Sequence, residues 1–152
     1  MTENKRIRIK AVVLGCLTDL SGSLAVGLVY GVVLGISMAV KGIPQEEIGT
    51  RLQGLIVLIP SFFIGFGFTL LGGFVAGRIA KHSESLHGGI VGAIGILLGF
   101  LFYGSFPLWY NIISFAGVVP AGMAGGYLAK QRRKKLQNSQ QHDGQLSSES
   151  AL

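Results

Sequence analysis

Asp19 is the one acidic or basic side chain between residues 11 and 40, where the other ionisable groups are Cys16 and Tyr30. A carboxylate beside Thr18, Ser21 and Ser23 inside an apolar run has the chemistry of a proton or cation site once it has a partner. The candidate partners are Arg78 and His87, in the stretch GGFVAGRIAKHSESLHGGIVGAIG, residues 72–95. His82, Glu84 and His87 in that stretch resemble a metal shell. However, a spacing of five does not put both histidines on one helix face, and no Cys or further His completes the set. Ser83, Ser85 and His87 share the same segment, yet nothing supplies a base, an orienting acid and oxyanion donors together. The residues therefore predict no catalytic group, no metal and no cofactor: a non-enzymatic protein.

The elements that position these residues are apolar and long. Only 13% of the chain is charged and 49% is hydrophobic, against a usual charged share of about 25%, so most of it is not built to face water. Four segments, about 11–40, 52–79, 86–105 and 108–129, reach or exceed the roughly 20 residues needed to cross a hydrocarbon layer of about 30 Å. They exceed strand lengths and lack two-residue alternation. The expected fold is all-α, a four-transmembrane-helix bundle. The first helix would be about 45 Å long and must tilt or extend beyond the layer. Pro60 and Pro120 each remove one helical hydrogen bond inside a span and predict a bend.

Asp19 lies about 12 Å along the axis from Ala11, which leaves two readings. Either it faces the bundle and forms a site with Arg78 or His87, or the long first helix begins among the headgroups and Asp19 is shallow and hydrated.

Basic residues cluster at span ends. The arm 1–10 carries Lys5, Arg6, Arg8 and Lys10, the turn after the second span carries Arg78 and Lys81, and the tail carries Lys130, Arg132, Arg133, Lys134 and Lys135. Positive residues remain on the cytoplasmic side, so both termini and this turn are expected inside a bacterial inner membrane, against anionic lipid headgroups. The loop KGIPQEEIGTR balances its charges, and Tyr103, Phe106, Trp109 and Tyr110 suit an outer aromatic belt. A net charge of +6 does not imply nucleic acid, because the cations form no stripe with interleaved aromatics. Beyond Lys135 the tail is polar and expected to be disordered. The sequence around VLGC loosely resembles a lipoprotein cleavage site, but the apolar run continues far past Cys16, so the first span is expected to be retained. A single cysteine allows no intramolecular disulfide.

Helices in a bilayer depend on close packing, which small residues permit. Gly27, Gly31 and Gly35 repeat every four residues in the first span. Gly73 and Gly77 do so in the second, Gly88 and Gly92 then Gly95 and Gly99 in the third, and Gly122 and Gly126 in the fourth. These stripes either join the four spans of one chain or form a zipper between copies. On the first reading, Gly31 and Gly92 both resist a larger side chain.

GGFVAGRIAKHSESLHGGIVGAIG, with KAVVLGCLTDLSG near the start, resembles a group of small four-helix bacterial integral membrane proteins in which a short inner loop joins GG-x-x-AG and HG-x-x-x-G elements. The resemblance covers residues 5 to about 130. It implies a fold and an inner-membrane location but no catalytic or binding residue. The function expected is structural or interactive, with a homo-oligomer or a membrane-protein partner; the alternative is a small oligomeric transporter or channel using Asp19.

Eleven Lys and Arg in the inner regions against two in the outer ones make the topology testable. In a Cys16-free background, Gln45→Cys is expected to react with an impermeant reagent in intact cells, while Ser83→Cys and Ser139→Cys remain unlabelled. Labelling at Ser83→Cys would refute the orientation.

Overall fold

The computed structural model describes residues 7–149 apart from 103 and 105. Lys5, Arg6 and Tyr103 lie outside the described residues. The elements in chain order are α1 (Ile9–Val40), α2 (Gln45–Leu52), α3 (Leu55–Ala80), α4 (Glu84–Gly99), a 3₁₀ turn (Phe100–Phe102) and α5 (Leu108–Glu149). There is no strand among the described residues. Three helices, α1, α3 and the part of α5 up to His142, are long and apolar enough to cross a membrane. α4 is apolar but has 16 residues, about 24 Å.

Two segments differ from expectation. The loop after α1 contains a short helix, α2, with Glu46 and Glu47 in its first turn, Arg51 in its last, and Arg51 Nη2 3.2 Å from Glu47 Oε2 one turn back. Those charges suit the helix dipole as well as a loop. The tail expected to be disordered continues α5 as helix to Glu149. Extending an existing helix needs no new nucleus, and Lys, Arg, Gln and Leu, which dominate residues 130–137, are good helix formers. Pro60 and Pro120 lie inside continuous helices.

The interior is made of small residues. Ala11, Ala76, Ala80 and Ala129 are buried with Val12, Val57, Leu58 and Val91, while Ile56 is 89% and Leu101 77% exposed. This reverses the pattern of a water-soluble helical domain and suits a surface that meets lipid.

Helices cross where neither has a side chain. A Cβ built on Gly15 of α1 would lie 2.7 Å from the Gly72 carbonyl oxygen of α3, and the reverse distance is also 2.7 Å. On Gly73 it would overlap the Gly122 carbonyl oxygen, on Gly88 the same atom, on Gly122 that of Gly88, and on Gly126 that of Glu84. Gly77 meets Gly126 Cα at 3.0 Å and Gly92 meets the Val118 carbonyl oxygen at 2.6 Å. Gly99 approaches the Phe115 ring at 2.9 Å, whereas Gly95 has only an ordinary contact with Val118 at 3.4 Å.

The first-span stripe does not join the spans of this chain. Gly27, Gly31 and Gly35 have nothing within 4 Å of a built Cβ, and no residue of α1 beyond Asp19 is buried. Helical spacing says that a flat face exists, not which helix meets it. α1 instead crosses α3 at Gly15 and Gly22, the latter covered by the Phe68 ring. Among the described residues α1 and α5 have no Cα pair within 8 Å, while each packs on α3 and α4.

Gly122→Leu is expected to lower stability by about 3 kcal/mol or more, since the added atoms meet backbone that cannot rotate away. Gly31→Leu should stay within about 0.5 kcal/mol of the parent. Unfolding titrations in detergent check both; equal stability of the two variants would contradict the fold described here.

Candidate functional site

The Gly15–Gly72 crossing determines what surrounds Asp19. One turn beyond Gly15 on α1 is Asp19, and just under one turn before Gly72 on antiparallel α3 is Thr69. Thr69 Oγ1 donates to the Asp19 carboxylate from 3.3 Å to both Oδ1 and Oδ2, and Ser23 Oγ donates to Oδ1 from 3.3 Å. Both contacts are long beside the 2.5–2.7 Å usual for a hydroxyl on a carboxylate. Asp19 is 9% exposed and Thr69 4%. A carboxylate has about four lone-pair sites, so two hydroxyl donors leave it with acceptor capacity.

That capacity faces a cavity of about 300 Å³. Asp19, Leu20 and Ser23 of α1 line it, with Phe62, Gly65, Phe66 and Thr69 of α3, Gly95, Leu98 and Gly99 of α4, and Tyr110, Asn111, Ser114, Phe115 and Val118 of α5. Gly95 leaves room beside the carboxylate, since a Cβ there would lie 4.0 Å from Asp19 Oδ2. Aromatic rings form the far wall. Phe62 stacks on Phe66 with centroids 4.2 Å apart and meets Tyr110 edge-on at 6.2 Å, and Phe106 packs on Tyr110 at 5.2 Å. Asn111 Nδ2 donates to the Phe106 carbonyl oxygen at 3.1 Å, which fixes the turn into α5 against this wall.

Asp19 is not shallow within the bundle. It lies ten residues from the start of α1, Thr69 eleven from the end of α3 and Gly95 eleven from the start of α4, so all three helices put it about 15–17 Å from their basic ends.

Arg78 and His87 do not join it. From the Gly15–Gly72 contact, Asp19 is four residues toward one end and Arg78 six toward the other, about 15 Å apart along the axes. Arg78 is exposed and lines a separate pocket with Lys81, Glu84, Arg132 and Arg133. His87, 1% exposed, accepts the Arg8 backbone N–H at Nε2 (3.0 Å), while Nδ1 lies 3.0 Å from the Ser83 carbonyl oxygen. The second contact requires the proton on Nδ1, so His87 ties the start of α1 to the start of α4. His82 Nδ1 lies 2.8 Å from the Ala80 carbonyl oxygen, and Glu84 is paired with Arg133.

Thr69, Asn111 and Ser114 were missed by sequence reasoning, although counting residues from the basic ends of the first two spans puts Thr69 level with Asp19. Comparison with known protein families, with curated proteins and with solved structures finds no match.

A double-mutant cycle separates the two partners. Asp19→Asn with Thr69→Val should give a coupling of about 0.5–2 kcal/mol in detergent unfolding, whereas Asp19→Asn with Arg78→Gln should be additive within about 0.5 kcal/mol. The opposite result would restore the arginine pair.

Proposed function

We propose that this chain is a multi-pass membrane protein that binds a small organic cation inside the bilayer, with Asp19 as counter-ion, and carries it across. The observation behind this reading is a buried carboxylate at mid-height whose only side-chain partners among the described residues are two hydroxyls, facing a cavity walled by aromatic rings. An uncompensated carboxylate in hydrocarbon is costly and marks ion pathways. Ring faces attract a cation by about 0.5–2 kcal/mol each when water is excluded. Among the described residues no other acidic or basic side chain lines the cavity, so the site's charge is matched by one positive charge.

The topology in this reading has α1, α3, α4 and α5 all crossing, packed through their glycines. α4 with the 3₁₀ turn reaches about 30 Å. Both termini and the turn at 81–83 face the cytoplasm of a bacterial inner membrane. The chain then belongs with the small four-helix proteins that it resembles, and it is not an enzyme.

The structural or interactive reading has one supporting observation, the uncovered outer part of α1 with Gly27, Gly31 and Gly35 on it. A second copy or another membrane helix would cover that stretch, and a carrier of this size would gain a complete pathway by pairing.

Equilibrium dialysis of the detergent-purified protein with labelled tetraethylammonium tests the cation reading. Asp19→Asn is expected to weaken binding at least tenfold, Asp19→Glu to retain part of it, and the neutral isostere 3,3-diethylpentane to bind both proteins alike. Equal tetraethylammonium binding by parent and Asp19→Asn would end the proposal and leave the structural reading.

A further inference from the structure

A second pocket, of about 240 Å³, lies between the basic ends of α3 and α5. Arg78, Lys81, Arg132 and Arg133 line it against a single carboxylate, Glu84, and Phe74 and Ala129 supply an apolar side. The carboxylate is already engaged. Glu84 is 4% exposed, and its Oε1 lies 2.7 Å from Arg133 Nη2 in an ionic contact that is not a directed hydrogen bond. Among the described residues no acid pairs with Arg78, Lys81 or Arg132.

The pocket is built by its own backbone as well as by its charges. Lys81 adopts a left-handed conformation, φ 61°, and Ser83 does so at 45°. Such strain in residues other than glycine persists only where the surroundings hold it, commonly at binding sites. Here Arg133 Nη1 donates to the Lys81 carbonyl oxygen, so the residue that pairs with Glu84 also holds the turn. Arg133 Nε–H is buried and has no acceptor among the described residues, which is unusual for a guanidinium donor.

We propose that this pocket binds the phosphate of an anionic membrane phospholipid, with Arg78, Lys81 and Arg132 around the headgroup and the first part of an acyl chain along Phe74 and Ala129, on the membrane side of those cations. Phosphate oxygens match the arginine fork. Basic pockets between helices at the cytoplasmic face recognise such headgroups. The apolar side distinguishes a lipid from a free phosphate ion, which has nothing to set against Phe74 and Ala129. The inference rests on the membrane topology proposed above and not on the Asp19 cavity.

Native mass spectrometry of the full chain in detergent with dioleoylphosphatidylglycerol or dioleoylphosphatidylcholine tests it. The parent should retain phosphatidylglycerol at least fivefold more than phosphatidylcholine. The pair Arg78→Gln and Arg132→Gln should abolish that preference, while Lys134→Gln with Lys135→Gln, an equal loss of charge outside the pocket, should change it less than twofold. Excess inorganic phosphate should leave the bound lipid in place. Equal loss in both double variants would mean diffuse attraction and overturn the site, and displacement by phosphate would overturn the lipid assignment. Tetraethylammonium binding should be unchanged in the pocket variants, so failure here is distinct from failure at Asp19.

Discussion

α3, α4 and α5 meet with no side chain between them, and the remaining geometry follows from that contact. Gly73, Gly88, Gly122 and Gly126 bring backbone onto backbone in the basic halves of these helices. Close approach of that kind maximises dispersion contacts where burial of apolar surface gives little. Further along, the same helices carry Phe62, Phe66 and Phe115, and a Cβ on Gly117 would overlap the Phe66 ring. The cavity is bordered by those rings, and Asp19, Thr69 and Gly95 also line it.

α4 is short, yet its first turn fastens two neighbours. Glu84 holds α5 through Arg133, and His87 holds α1 through the Arg8 amide. Removing the partner of a buried charge leaves that charge uncompensated, which costs more than the pair contributes. The basic ends of the bundle are therefore tied by polar contacts, one ionic and one hydrogen-bonded. The opposite ends depend on ring packing and on the Asn111 bonds to the Phe106 and Pro107 carbonyl oxygens.

Much of this is legible in the residue order. The apolar runs predict the helices, and the four-residue glycine spacing in 73–77, 88–92 and 122–126 falls at the crossings. Asp19 is identified by its isolation alone. What the order does not carry is which faces meet. Gly27, Gly31 and Gly35 have the same spacing as the crossing glycines and meet nothing among the described residues, so spacing alone does not tell a crossing from an uncovered face. The partner of Asp19 is misread for a related reason. Charge complementarity points to Arg78, but helix rise separates the two by about 15 Å, and a hydroxyl at the right height takes its place. The tail is misread because composition predicts the behaviour of a free segment, while residues 130–149 continue a helix that is already nucleated.

The missing contact between α1 and α5 bears on how a ligand reaches Asp19. α3 and α4 touch all their neighbours, but α1 and α5 both line the cavity without approaching each other. In the proposed topology the side between α1 and α5 is where a ligand of the proposed carrier would enter from the hydrocarbon layer. A ligand entering there has first partitioned into the bilayer, so it must be apolar over most of its surface. In the proposed reading the Asp19 carboxylate selects among such molecules for one carrying positive charge. A metal ion or a strongly hydrated cation would not follow that route, because leaving water for hydrocarbon costs more than one carboxylate returns. If the proposed carrier takes its ligand by that route, the single carboxylate restricts it to a lipophilic cation.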